Sequence, residues 1–139
     1  MTALLVTADA SIGGPIADAL ERTGVDVMWC RGPAGHDCVC AAIRGPRCAL
    51  TADVDVVVVD SWLTSDKLER GYRSWQLIRY YESFGLPVVA LMGSRDTAPS
   101  LTSGRRTITM SRRSDPAEIA AGARRAAALH ATQIADETA

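Results

Sequence analysis

Lysine is nearly missing from this chain: Lys67 is the only one, so chemistry that needs an ammonium group has a single candidate. An excess of positive charge is missing as well. The formal net charge is −1 at pH 7, and a chain without a positive field does not gather phosphate backbones or anionic lipid. Neither nucleic acid nor a membrane surface is expected as a partner. No stretch approaches the roughly 20 apolar residues that span a bilayer, and the opening MTALLVTADAS has no basic region ahead of its short apolar run. A cytoplasmic location is the expectation. C-x2-C units, the usual mark of zinc ribbons and many iron–sulfur sites, are lacking too.

What is present is apolar residue in quantity. Hydrophobic residues make up 47% of 139, enough for the core of one domain. That domain is expected over residues 1–132, with 133–139 as a short polar tail. Ala3 to Thr7 reads as a first strand, followed by the helical pattern Ile12, Ile16, Ala17, Leu20 with Ser11 as its N-cap. Gly24 ends that helix, and Val25 to Trp29 resumes an extended pattern. Between Arg31 and Thr51 the breakers Gly32, Pro33, Gly35, Gly45 and Pro46 leave room only for a short helix near Asp37 to Arg44.

Asp53-Val-Asp-Val-Val-Val-Val-Asp60 carries the clearest signal. Four consecutive valines without polar alternation describe a strand covered on both faces, as in the middle of a parallel sheet. Asp66 to Phe84 then has a helical apolar stripe ending at Gly85, and Leu86 to Met92 is a further buried strand. Gly93 to Arg106 is poor in apolar residues, so the fourth helix is expected to be reduced. Thr107 to Met110 makes a last strand, and Asp115-Pro116 opens a final helix. Such alternation folds as an α/β, flavodoxin-like three-layer sandwich with a five-stranded parallel sheet of order 2-1-3-4-5. Its ligands sit at the carboxyl ends of the first and third strands, where Asp9 and Asp60 are expected to converge.

With VVVVDSW, VTADAS, PVVALMGS and SRRSDPAEI at the four strand ends, the chain resembles the receiver domains of bacterial response regulators. The resemblance spans about residues 3 to 130. It implies that Asp60 is the candidate phospho-acceptor, that Asp9 and Asp60 hold a weak Mg²⁺, and that Arg112 stands at the lysine position. It also shows departures. Ala8 replaces the first acidic residue, Met92 falls at the hydroxyl position with Ser94 two residues on, and Arg113 replaces the proline. Asp60 and Asp9 also have simpler readings, as a loop cap and as a helix N-terminal charge. TADASIGG further resembles the fingerprint of short-chain dehydrogenases, but no Tyr-x-x-x-Lys follows it.

Cys30, Cys38, Cys40 and Cys48 cluster in the irregular segment between the second and third strands. Three readings stay open: packed small hydrophobes, a zinc or iron–sulfur site, and a reversible disulfide. The aromatic residues Trp62, Tyr72, Trp75, Tyr80 and Tyr81 read as core and helix-packing groups, and Arg70, Arg73 and Arg79 as a solvated face. The functional expectation is a stand-alone, atypical receiver-like signalling protein, a pseudo-receiver held in one state that need not be phosphorylated. It is expected to act through contact with a protein partner, a kinase or a client, with a homodimer as a further option. It is not an enzyme beyond self-phosphorylation of Asp60 from a phosphodonor. The alternative is a redox- or metal-responsive protein built on the cysteines.

Overall fold

The strands form where short apolar runs occur, and the helices where apolar residues recur at helical spacing. In a computed structural model of the chain, the described residues are 1–30, 51–60, 74–93 and 107–138, with 74–77 described by their backbone alone. The elements are β1 (Thr2–Val6), α1 (Ala10–Arg22), β2 (Asp26–Cys30), β3 (Val56–Asp60), α2 (Ser74–Ser83), β4 (Val88–Met92), β5 (Thr107–Ser111) and α3 (Pro116–Thr138). The expected short helix near Asp37, the start of the helix expected from Asp66, and the reduced fourth helix lie outside the described residues.

All five strands are parallel, in the order β2-β1-β3-β4-β5 expected from the sequence. β3 is central, and each of its residues is buried. Alternation along the strands makes two apolar layers. Ala3, Leu5, Val56, Val58, Val89 and Leu91 face α1 and α3, meeting Ile16, Leu20, Ile119 and Ala123. Leu4, Val6, Val57, Val59, Val88 and Ala90 face the other way, against Ile78 and Tyr81 of α2. Burying one such Val or Leu side chain contributes about 1.5–3 kcal/mol.

Gly24 and Gly85 close α1 and α2 with φ of 81° and 74°, a left-handed conformation that only glycine adopts without strain. One boundary departs from the expectation. The N-cap of α1 is Asp9 and not Ser11, since the Asp9 side chain accepts from the Ser11 backbone N–H. Both residue types cap well, and the carboxylate wins by also accepting the Ser11 hydroxyl at 2.6 Å. Residues 133–138, expected as a short polar tail, are helical and form the end of α3, with 134–138 exposed. Alanines and the absence of any proline after Pro116 sustain that helix. Asp115 caps it through the Ala117 N–H, with Pro116 at its first position.

Candidate functional site

The site is a row of side chains across the carboxyl edge of the sheet. Period-two alternation places Thr7 two residues after Leu5, Asp60 two after Val58, and Arg112 two after Met110, so all three turn toward the α1/α3 layer. The β1–β3 register pairs Val6 with Val59, which sets Thr7 beside Asp60. Arg112 continues the ladder at the far edge, its backbone N–H donating to the Met92 carbonyl at 3.0 Å. From there it must reach over β4 to β3, about 10 Å at the usual strand spacing. A long side chain is required.

Asp60 is buried, and its carboxylate is held from two sides. Arg112 donates from Nε to Oδ1 at 3.0 Å and from Nη2 to Oδ2 at 3.1 Å. The Thr7 hydroxyl donates to Oδ2 at 2.9 Å. Two parallel charge-assisted bonds from a planar guanidinium make a strong and geometrically specific pair. Arg112 is itself only 8% exposed, so the pair is shielded from water. Thr7 carries no mark in the sequence beyond a strand-end hydroxyl, and only the register shows its role.

Asp9 joins from the rim. Its Oδ2 lies 3.7 Å from Arg112 Nη2, and its side chain is 47% exposed. The Ser11 hydroxyl and N–H, in that order, hold its carboxyl below the usual value; the Arg112 cation and the Ile12 N–H add smaller effects in the same direction, and partial burial opposes them. A depressed carboxyl stabilises the fold fully above the unfolded value near 3.8 and loses that contribution as pH falls through the folded value. Asp9→Ala is therefore expected to cost about 1 kcal/mol at neutral pH, chiefly as a lost cap. In denaturant titrations the gap from wild type should narrow below about pH 4.

Asp9, Asp60 and Arg112 thus come together, with the guanidinium lying between the two carboxylates. Met92 does not join them. Strand alternation puts its side chain with the α2-side layer, where it packs against that core. Among the four cysteines, only Cys30 falls in the described residues, half-buried at the end of β2. Cys38, Cys40 and Cys48 lie outside them, as does Ser94. Tyr80 and Tyr81 do pack in the core layer, edge to face at 5.5 Å, and Arg79 is exposed.

No family model and no curated protein matches the chain in sequence. Solved structures do match its fold. The receiver domain protein (CheY-like) of Methanospirillum hungatei superposes with a TM-score of 0.67 at 14% identity, covering 95% of this chain and 97% of that one. The N-terminal domain of a response regulator/sensory box/GGDEF protein of Carboxydothermus hydrogenoformans gives 0.68 at 16%, covering 96% and 99%. A response regulator of Burkholderia pseudomallei, with a phosphorylated aspartic acid and a calcium ion, gives 0.63 at 17%, covering 99% and 75%. The fold is that of response-regulator receiver domains.

That calcium ion raises the question of whether the residues here suit a divalent cation. They do not. Mg²⁺ keeps several waters in an octahedral shell and takes one or two carboxylates, whereas Asp60 is buried and both of its oxygens already accept from Arg112. Asp9 Oδ1 is bound by Ser11. Among the described residues no group of three or more His, Cys, Asp or Glu side chains can hold a metal ion. The Arg112 guanidinium lies between the two carboxylates from which a weak Mg²⁺ site is expected, and places a positive charge there.

Proposed function

We propose that the chain is a receiver-like signalling protein that works through contact with a protein partner and does not use Asp60 as a phospho-acceptor. The observation that carries this reading is the two-bond clasp of Arg112 on buried Asp60. An attacking carboxylate must present an oxygen to phosphorus while a divalent ion neutralises the approaching phosphoryl oxygens. Here the guanidinium covers that carboxylate and takes the place such an ion would need. With Met92 turned to the other layer, the usual polar route from this site toward β4 lacks its hydroxyl. Arg112, Asp60, Thr7 and Asp9 then act as a fixed brace that holds one conformation for a partner, with no catalysed reaction.

Incubation with acetyl phosphate and Mg²⁺, read by intact mass, tests the reading. The expected outcome is no gain of a phosphoryl group under conditions that label an ordinary receiver domain. A Mg²⁺-dependent, acid-labile adduct on the wild-type chain that Asp60→Asn abolishes would overturn it.

A further inference from the structure

The row at the carboxyl edge does not stop at Thr7. On the outer strand β2, the Trp29 indole N–H donates to the Thr7 carbonyl at 3.0 Å, and the Thr7 N–H donates to the Cys30 carbonyl at 3.0 Å. Both backbone groups of the residue that holds Asp60 are thus fixed by the end of β2. The indole ring lies over α1 at Gly13, where a Cβ would stand 2.3 Å from Trp29 Cζ2 and 2.7 Å from Thr7 Cγ2. Only a residue without a side chain lets ring, threonine and helix meet this closely. Yet Trp29 remains 42% exposed, so one edge of a tightly seated ring faces solvent.

We infer that Trp29 is a positioning residue for the Asp60–Arg112 pair, and that the state of the pair is coupled through the Thr7 hydroxyl to the exposed indole at the β2 edge. The chain of contacts is continuous: Arg112 to Asp60, Asp60 to the Thr7 hydroxyl, and the Thr7 carbonyl to the indole. Arg112 reaches Asp60 through two N–H groups, the other two links have one donor each, and Thr7 belongs to both of these. Removing its hydroxyl severs the polar link and leaves the backbone contacts to Trp29 and Cys30 in place. The coupling goes beyond the functional reading above and stands whether or not Asp60 accepts a phosphoryl group, because it rests on the pair and not on its modification.

The indole region of a ¹H–¹⁵N spectrum tests it. The chain has three tryptophans, and Trp29→Phe identifies the Trp29 signal. Asp60→Asn is then introduced with and without Thr7→Val, which keeps the side-chain shape while deleting the hydroxyl. Coupling through Thr7 predicts that Asp60→Asn moves the Trp29 signal at least about twofold further in the native background than in the Thr7→Val background. Displacements that agree within that factor, or no displacement in either background, would overturn it. Arg112→Lys perturbs the same pair without altering Asp60, and should show the same dependence on Thr7 if Asp60→Asn does not give a native backbone spectrum.

Discussion

Arg112→Met is expected to lower the unfolding free energy by about 3–5 kcal/mol, the usual consequence of leaving one member of a buried ion pair without its partner. Asp60 would keep the Thr7 hydroxyl, but a single neutral donor cannot replace two charge-assisted bonds to a guanidinium. For a domain of this size the melting temperature should fall on the order of 10 °C. The loss belongs to the orphaned carboxylate and not to the pair as such. Asp60→Val with Arg112→Met, which extends the valine run of β3 to its end, should therefore be more stable than Arg112→Met alone. Chemical denaturation of the wild type, the two single variants Arg112→Met and Asp60→Val, and the double variant gives the coupling directly. A loss below about 1 kcal/mol for Arg112→Met would mean that the clasp does not form in solution.

Gly13→Ala should also carry a large effect for so small a change. In most helix positions alanine in place of glycine stabilises by about 0.5–1 kcal/mol. At Gly13 the added methyl would sit 2.3 Å from Trp29 Cζ2 and 2.7 Å from Thr7 Cγ2. Either the indole swings outward and gives up its bond to the Thr7 carbonyl, or α1 shifts away from β1. Overpacking of this kind costs about 1–3 kcal/mol, so the sign is opposite to the helix-propensity expectation. Adding Trp29→Ala should recover only part of the loss, because the Thr7 methyl contact remains. Denaturant midpoints of the single and double variants separate these contributions. A Gly13→Ala protein at least as stable as wild type would show that the ring is not seated over α1 as described.

Much of this arrangement could be read from the residues in order. The unbroken valines before Asp60 identify a central strand, and the strand–helix alternation around them leads to the sheet order found. Gly24, Gly85 and Asp115-Pro116 mark helix ends by their own conformational preferences. What stayed out of reach was pairwise geometry. Asp9 and Ser11 are both good caps, and only the hydrogen bonds decide between them. A terminal strand threonine reads as an ordinary β-former, so Thr7 was invisible until register set it beside Asp60. Arg112 was legible as a cation near the site, but its span over β4 to close on Asp60 depends on side-chain reach. Met92 illustrates the converse. Its position after β4 was legible, while the face it turns to follows from strand parity.

The brace also accounts for why so buried a carboxylate persists at the end of an apolar strand. Replacing such a pair with packed hydrophobic residues can be neutral for stability, so what the pair adds here is specificity of position. It ties β3 to the end of β5, while Thr7 ties β3 to β1. The carboxyl edge is thereby tied together across the sheet.

Thermal unfolding of the wild-type chain with and without Mg²⁺ tests most directly whether a guanidinium has taken the metal's place. An ion bound only to the folded state with a Kd of about 1 mM adds about 1.4 kcal/mol at about 10 mM, a rise of several degrees. The brace predicts a melting temperature unchanged by about 10 mM Mg²⁺ relative to the same ionic strength of a monovalent salt. A saturable rise that Asp60→Asn removes would contradict it, since the cation at Asp60 would then be a metal and not Arg112.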